Sequence, residues 1–228
     1  MNMRQHASPV SLTDFCRFCR IFSDKKKGTG IDVPWLTNDN YTAMVSIGAL
    51  VPGWSLICPI EHQINLSIHY KKTEFWDFVT DVVNGVRFRY GDVRLFEHGA
   101  YSLDSITGCG TGHAHLHVVP LNFSLIKESL LYDSERKWQP CSALDIQSIS
   151  NGQEYLFVAD QYNRNQTTGL ITLLDEGTSQ FFRKVIAGHL GLGEFFDYRR
   201  YPMLDIAEQS VTQLRADFSG IQPKACNF

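Results

Sequence analysis

The sequence predicts an α+β fold with a largely antiparallel sheet, a helix packed on that sheet, and a mixed α/β C-terminal extension. Three observations support this prediction. Two strand-like runs, YTAMVSIGAL at 41–50 and WSLICPI at 54–60, are separated by the turn-forming residues VPG, which indicates a hairpin. Apolar residues then recur at helical spacing through 73–90, and two further strand-like runs follow.

The elements of the first domain follow in order. The helix over 73–90 has Thr73 as its predicted N-cap and Gly91 as its predicted end. The run VRLFEH at 93–98 is the next predicted strand, and a glycine-rich loop leads from it into a histidine-rich strand ending at Pro120. The order strand, strand, helix, strand, strand predicts one domain over residues 12–122.

Residues 123–228 are predicted to form an extension that packs on this domain. Helical patterns occupy 124–136, 142–149 and 204–216, and a stronger one spans 179–191 and closes at Gly191. Apolar runs at 154–159 and 169–174 indicate strands between them. Helices and strands alternate here, so the extension is expected to be mixed.

Composition and charge exclude several classes of protein. The 228 residues are 43% hydrophobic and 20% charged, which argues against disorder. The formal net charge of −3 provides no general attraction to nucleic acid or anionic membranes, so any phosphate site must be built locally. No stretch approaches the ~20 apolar residues of a membrane span, and the N-terminus lacks the apolar core of a secretory signal. A cytoplasmic protein is expected.

Two of the six cysteines, Cys16 and Cys19, have the CxxC spacing that lets two thiolates share one zinc ion. A redox pair is the alternative, although the proline and βαβ context of a thioredoxin motif are missing. A closed tetrahedral zinc site needs two more ligands, and His62 and His113 are the best candidates.

The run HAHLHVVP at 113–120 is the strongest functional signal. Side chains alternate along a strand, so three histidines should project from one face, about 6.6 Å apart, and the apolar residues between them from the other. Single histidines are usually ordinary surface or core residues. Three on one face after the loop TGCGTG at 107–112 indicate chemistry instead; they are His113, His115 and His117.

The chemistry that this arrangement favours is displacement at phosphorus. Imidazole titrates near neutral pH, so His115 can attack as a neutral nucleophile while His117 binds the substrate or donates a proton. Attack by a ring nitrogen gives a covalent phosphoramidate and divides one displacement into two easier ones. Backbone N–H groups of the glycine-rich loop can hold phosphate oxygens, and no metal is needed at the reacting phosphate.

These motifs together resemble the histidine-triad (HIT) superfamily, whose pattern His-φ-His-φ-His-φ-φ is matched throughout by HAHLHVV. CRFCRIF resembles the opening CxFC element of the family, PGWSLICPIEHQINL its second strand and following histidine, and LFEHG the loop before the triad. The resemblance covers residues 14–121. SQFFRKVIAGHLG and FFDYRRYP are similar to the C-terminal part of larger bacterial members and of diadenosine-polyphosphate-processing enzymes.

The resemblance implies roles for individual residues. The middle histidine, His115, would become nucleotidylated, and His117 would contact the reacting phosphate or the leaving group. Zinc-bearing members would bind the metal through Cys16, Cys19, His62 and His113. FEHGA…GCGTGHAH also resembles the galactose-1-phosphate uridylyltransferase branch, which has Gln in place of His117. The third histidine therefore favours the hydrolase-like or phosphorylase-like side.

Two departures from the family pattern concern substrate binding. The chain has Cys109-Gly110-Thr111-Gly112 where small hydrolases have Gln-Ser, and Ser46 where purine-binding branches hold the ribose with Asp or Asn. Glu97 is a candidate for orienting a ring or a substrate hydroxyl, with a simple loop role as the alternative. Arg183 is a candidate for phosphate binding, with a solvated helix face as the alternative. The predicted substrate-binding residues are Ser46, Glu97, Gly110, Thr111, Gly112 and Arg183.

The sequence thus predicts a nucleotidyl hydrolase acting on a nucleoside phosphate anhydride, ester or phosphoramidate through a covalent intermediate on His115. Transfer of the nucleotide to phosphate or a sugar phosphate is the alternative within the same chemistry. A nucleotide-binding module without turnover is the alternative from another class. The expected partners are a nucleotide and, from the family resemblance, a second copy in a homodimer. Neither a nucleic acid polymer nor a membrane is expected.

Overall fold

One antiparallel sheet of eight strands organises the part of the chain that the structure describes. The structure is a computed structural model, and it describes residues 16–23, 30–108, 111–164 and 166–221. Helices cover both faces of the sheet. The predicted α+β class, with a helix packed on an antiparallel sheet, is confirmed.

The strand order within these residues is β1-β2-β3-β5-β4-β7-β8-β6, and every neighbouring pair is antiparallel. The strands are β1 Leu36–Thr37, β2 Tyr41–Val45, β3 Ser55–Pro59, β4 Val93–Gly99, β5 Leu116–Pro120, β6 Gln139–Ser142, β7 Tyr155–Ala159 and β8 Thr168–Leu173. Strands β7, β8 and β6 belong to the predicted extension and continue the sheet beyond β4. The boundary at residue 122 stays a prediction, and the sheet spans both sides of it.

The α-helices are α1 Arg17–Ser23, α2 Thr73–Tyr90, α3 Leu125–Tyr132, α4 Ile146–Ser150, α5 Phe181–His189 and α6 Leu204–Ile221. Short 3₁₀ helices lie at Gly30–Asp32, His69–Lys71, Ala143–Asp145 and Gly193–Phe196. Within the described ranges, no helix combines the length and the apolar character needed to cross a lipid bilayer.

Helix α2 has the predicted bounds, but its start differs in detail. Lys72, in extended backbone conformation, occupies the N-cap position without a side-chain hydrogen bond, so Thr73 is the first helical residue and not the cap. Gly91 ends the helix with a positive φ of 86°, and its N–H donates to the carbonyl of Arg87. The glycine signal at this end of the helix was therefore correct.

Several elements of the extension differ from the prediction. Helix α3 is shorter than expected and begins after Ser124, whose hydroxyl accepts a hydrogen bond from the N–H of Lys127. Helix α6 is longer than expected. Strand β6 was not predicted because it is four residues long and contains Pro140, which is tolerated at the edge of the sheet.

The histidine run is only partly a strand. Strand β5 begins at Leu116, so His113 and His115 precede it. The register of β3 with β5 ends at the pair of Ile57 and Leu116. The chain there is fixed by other bonds, since Ala114 N–H donates to the carbonyl of Gln63 at 2.6 Å.

The two faces of the sheet have separate hydrophobic cores. Helices α2 and α6 pack on one face, and the apolar residues of the histidine run, Ala114, Leu116 and Val118, are buried there as predicted. Helices α1, α3 and α5 pack on the other face. The histidines alternate with the apolar residues, so His117 points to this second face and contacts Trp54 and Phe96.

Gly48 makes a close contact with the predicted extension. Its φ is +69°, and a Cβ there would collide with Tyr198 and lie 2.9 Å from a guanidinium nitrogen of Arg183. Its N–H donates to the carbonyl of Pro202 at 2.6 Å. Only glycine permits both this backbone conformation and this close approach.

Gly48→Ala should therefore lower the free energy of unfolding by about 3 kcal/mol, through backbone strain together with displacement of the 198–202 segment. Gly191→Ala is the matched control: it has φ +68° but no atom within 4 Å, and should cost only the ~1 kcal/mol of strain. Denaturant unfolding of the two variants measures the difference. Equal losses would show that the contact with Tyr198 is unimportant.

Candidate functional site

A cavity of about 310 Å³ lies on the second face of the sheet, beside the histidine run. Seven residues predicted for catalysis or substrate binding lie in the described chain. Five of them line this cavity, namely Ser46, Thr111, His115, His117 and Arg183, whereas Glu97 and Gly112 do not. Its lining residues are Arg17, Phe18, Ser46, Ile47, Leu56, His98, Thr111, His115, His117, Arg183 and Tyr198. Gly110 lies outside the described residues.

His115 is held in one tautomer by its own loop. Its Nδ1 lies 2.9 Å from the carbonyl oxygen of His113, which can only accept, so Nδ1 is protonated. The lone pair of the neutral ring is then on Nε2. Burial lowers the pKa of His115 below its ordinary value and favours this neutral form. The ring is therefore ready to act as a nucleophile through Nε2.

His117 is held in the opposite tautomer. The indole Nε1 of Trp54 donates to Nδ1 of His117 at 2.9 Å, which leaves the proton of the neutral imidazole on Nε2. The ring stacks on Phe96, with centroids 4.1 Å apart, and lies 4.7 Å from the ring of His115. Burial, together with neighbouring positive charge, holds the pKa of His117 well below its ordinary value.

Arg183 is buried, with 3% exposure, so its alternative as part of a solvated helix face is wrong. Its Nε donates to the carbonyl of Phe196 at 2.7 Å, and a terminal nitrogen donates to the carbonyl of Gly48. The guanidinium also lies 4.9 Å from the ring centre of Trp54. Helix α5 thus brings a fixed cation from the extension to the cavity.

Ser46 and Thr111 line the cavity with hydroxyl groups. The Ser46 hydroxyl, 4% exposed, contacts its neighbouring carbonyl at Ile47, and the Thr111 hydroxyl donates to the carbonyl of Gly108 at 2.9 Å. A hydroxyl that donates to a carbonyl still has oxygen lone pairs to offer a ligand.

Glu97 does not belong to the cavity. Side chains alternate along β4, so Glu97 points into the opposite core while its neighbour His98 faces the site. Its carboxylate accepts hydrogen bonds from the N–H of Leu66 at 2.7 Å, from Tyr70 at 2.8 Å and from Tyr155 at 2.7 Å. The predicted substrate contact is therefore replaced by a buried structural role, and the loop alternative is wrong as well.

Four residues beside the cavity form a candidate metal centre. Cys16, Cys19, His62 and His113 each offer a ligand atom, and these atoms all lie within 4.8 Å of one another. Nδ1 of His113 is 3.4 Å from Sγ of Cys16, and Nδ1 of His62 is 3.2 Å from Sγ of Cys19. Ligand atoms around a tetrahedral zinc ion are about 3.5 Å apart, so the donor set fits such an ion.

The second ring nitrogen of His113 supports this assignment. Nε2 lies 2.8 Å from the carbonyl of Pro59 and donates to it, which directs the lone pair of Nδ1 toward the two cysteines. Burial lowers the pKa of His113 to about 4, so the ring is neutral, as a ligand must be. Burial and a bond with Cys16 raise the pKa of Cys19 to about 12, so metal binding there would release a proton.

Six lining residues were not predicted: Arg17, Phe18, Ile47, Leu56, His98 and Tyr198. His98 could have been found from the strand pattern, since Phe96 pairs directly with His117 and His98 lies two residues further on the same face. Phe18 reaches the cavity because it lies between Cys16 and Cys19. Tyr198 follows the 3₁₀ helix Gly193–Phe196, in a segment where the sequence has no helical or strand periodicity. The lining within the described chain contains no carboxylate and two arginines, of which Arg17 is ion-paired with Asp32 at 2.5 Å; the buried charge of Arg183 suits an anion.

Comparisons with known proteins give distant similarities. No protein-family model and no curated protein matches the sequence. The crystal structure of a HIT-like protein involved in cell-cycle regulation from Bartonella henselae matches 47% of this chain and 80% of its own, with 18% identity and a TM-score of 0.34. That of a hypothetical histidine triad nucleotide-binding protein from Sulfolobus tokodaii matches 91% of this chain and 99% of its own, with 12% identity and a TM-score of 0.36.

Cys19→Ser should abolish metal binding, because serine does not provide a thiolate. The loss should lower the free energy of unfolding by about 3 kcal/mol, the gain expected from a ligand at 100 times its Kd. Elemental analysis of the purified protein and denaturant unfolding measure the two effects. Cys141→Ser, on β6 and outside the cluster, is the matched control and should keep the metal. Equal metal content in both variants would refute the site.

Glu97→Gln should change how stability depends on pH. Burial raises the pKa of Glu97 from 4.5 to about 7, so the folded protein retains a proton that the unfolded chain releases. The contribution of Glu97 to stability is thus full below about pH 4.5 and falls by up to ~3 kcal/mol as pH rises to 7. Unfolding measured across this range should lose that slope in Glu97→Gln and keep it in the exposed control Glu61→Gln. If the dependence of the unfolding free energy on pH were unchanged in Glu97→Gln, the raised pKa of Glu97 would be contradicted.

Proposed function

We propose that this chain is a nucleotidyl hydrolase of the histidine-triad type, acting on a nucleoside phosphate anhydride, ester or phosphoramidate such as a dinucleoside polyphosphate. The observation that supports it most is the tautomer of His115. Because Nδ1 donates to the carbonyl of His113, the lone pair of Nε2 is available to a substrate in the cavity.

In the first step, Nε2 of His115 attacks the α-phosphorus, a nitrogen–phosphorus bond forms, and the bond to the leaving group breaks. The leaving group takes the electron pair of that bond. The ring becomes positively charged, and the carbonyl of His113, still accepting from Nδ1, stabilises this charge. In the second step, water attacks the phosphorus, the nitrogen–phosphorus bond breaks and returns its electron pair to Nε2, and the proton lost by the attacking water passes to solvent.

The binding roles in this proposal follow the polarity of the lining. Arg183 faces the phosphate oxygens as a buried cation, and Thr111 and Ser46 offer hydroxyl groups to a phosphate or a ribose. Backbone N–H groups of the loop at 108–112, including Gly110 and Gly112, are proposed to bind further phosphate oxygens.

A second candidate function is transfer of the nucleotide to phosphate or to a sugar phosphate. The lining supports it, since Arg183 would attract an anionic acceptor and the predicted extension contributes Arg183 and Tyr198 to the cavity. A nucleotide-binding module without turnover would have the same cavity, but it would not form a bond to His115.

Zinc is the proposed metal, bound by Cys16, Cys19, His62 and His113 as a structural ion, because two thiolates and two imidazoles are ligands that zinc prefers. The ion would supply a fixed link between α1 and the histidine run. The free thiols of the four cysteines in the described chain are consistent with the proposed cytoplasmic location. A homodimer stays a prediction.

The test is intact-mass spectrometry after brief incubation with a panel of dinucleoside polyphosphates and nucleoside phosphoramidates. A nucleotide-sized adduct, or released mononucleotide, is expected with the wild type and not with His115→Ala. His189→Ala is the matched control, because His189 stacks on Phe123 away from the cavity and should leave labelling unchanged. No adduct and no turnover with any compound would contradict the enzymatic proposal and favour the binding module.

A further inference from the structure

Trp54, the side chain that determines the tautomer of His117, does not line the cavity. Trp54, which immediately precedes β3, is fully buried, and its indole N–H donates to Nδ1 of His117 at 2.9 Å. An indole nitrogen donates and does not accept. As long as this bond exists, Nδ1 of His117 cannot carry a proton, and the proton of the ring is on Nε2.

The surroundings of His117 reinforce this state. Phe96 stacks on its ring at 4.1 Å, with an angle of 17° between the planes, and packs edge-on against Trp54. The guanidinium of Arg183 lies 4.9 Å from the centre of the Trp54 ring, and its charge opposes a second proton on the imidazole. Among the described residues, the other titratable groups facing His117 are His115 and His98, whose pKa values burial lowers so that the neutral form is favoured.

We propose that Trp54 is a positioning residue that makes His117 a permanently neutral N–H donor, so that the site cleaves phosphoanhydrides in preference to phosphoramidates. This inference rests on the proposed function and narrows its substrate class. The preference follows from what a neutral imidazole can give to a leaving group, which is a hydrogen bond but not a proton.

The electron count shows the difference between the two substrates. When Nε2 of His115 displaces a phosphoanhydride, the breaking P–O bond leaves its electron pair on a phosphate oxygen, which is a stable anion and needs only a hydrogen bond from Nε2 of His117. When it displaces a phosphoramidate, the breaking P–N bond leaves its pair on an amine nitrogen, which requires a proton. His117 cannot supply that proton, because Trp54 does not release its own to Nδ1.

The kinetic test compares two variants of His117 with two donors of the same nucleotide, diadenosine tetraphosphate and adenosine phosphoramidate, in single turnovers that label His115. Wild type should react with the tetraphosphate at least about tenfold faster than with the phosphoramidate, because one hydrogen bond to a charged group contributes about that factor. His117→Gln, which keeps a neutral N–H donor, should remain within about tenfold of wild type on the tetraphosphate. His117→Ala, which has no N–H donor in the side chain, should lower the labelling rate with the tetraphosphate by more than this tenfold limit.

Equal loss in His117→Gln and His117→Ala would overturn the proposal, because it would show that proton transfer is needed. Equal wild-type rates on the two donors would also overturn it. Failure of the proposed function is distinguishable, since neither donor would then label His115 in any variant. If the adenine donors do not react, the same comparison uses the base that labels His115 in the substrate panel.

The second measurement needs no substrate. Long-range proton–nitrogen correlation spectra of protein labelled at histidine nitrogen assign the tautomer of each ring. His117 should be the Nε2–H form in the wild type, and Trp54→Phe, which keeps an aromatic face for Arg183 but removes the N–H, should lose this fixed assignment. An Nδ1–H form in the wild type would overturn the proposal even if Trp54→Phe does not fold. His189 is the internal reference, whose signals should be the same in both proteins.

Discussion

The alternation of side chains through the histidine run links the orientation of the histidines to the hydrophobic core. Ala114, Leu116 and Val118 are buried under helix α2, and their burial determines which way the histidines between them can point. A shift of one residue would place the imidazoles in the core and the apolar groups in the cavity. Burial of these apolar side chains therefore both stabilises the sheet and orients the histidines, so a change in one also changes the other.

The tautomers of the two central rings follow from their neighbours. A carbonyl at Nδ1 of His115 and an indole N–H at Nδ1 of His117 impose opposite proton positions on chemically identical side chains that lie 4.7 Å apart. This weakens one argument taken from the family resemblance. His117 was used to favour a hydrolase because the transferase branch has Gln at that position. An imidazole held as a neutral donor presents the same N–H to a substrate as an amide would.

The sequence predicted those parts of the site that lie close together along the chain or follow a strand pattern. The histidine run, the CxxC pair and helix α2 all have local signals. His62 was added to the pair because a closed zinc site needs four ligands and because of the family resemblance, and the structure brings the four metal-ligand candidates together. Contacts between distant segments had no such signal. The bond from Trp54 to His117 depends on the pairing of β3 with β5, and the burial of Arg183 depends on how α5 docks at Gly48.

The placement of Glu97 shows the limit of local patterns. Glu97 and His98 are adjacent, and both could have served a nucleotide. Which one faces the site depends on the register of β4 against β5, where Phe96 lies opposite His117. That register also places Glu97 among Tyr70, Tyr155 and the N–H of Leu66, which provide the hydrogen bonds that a buried carboxylate needs.

The cavity is built from both ends of the described chain, with Arg17 and Phe18 on one side and Arg183 and Tyr198 on the other. Since a ribosome releases these segments in order, Arg183 and Tyr198 emerge long after His115. A nascent chain ending before α5 contains all three histidines but only part of the cavity wall. The order of synthesis thus delays a complete site until the extension has docked.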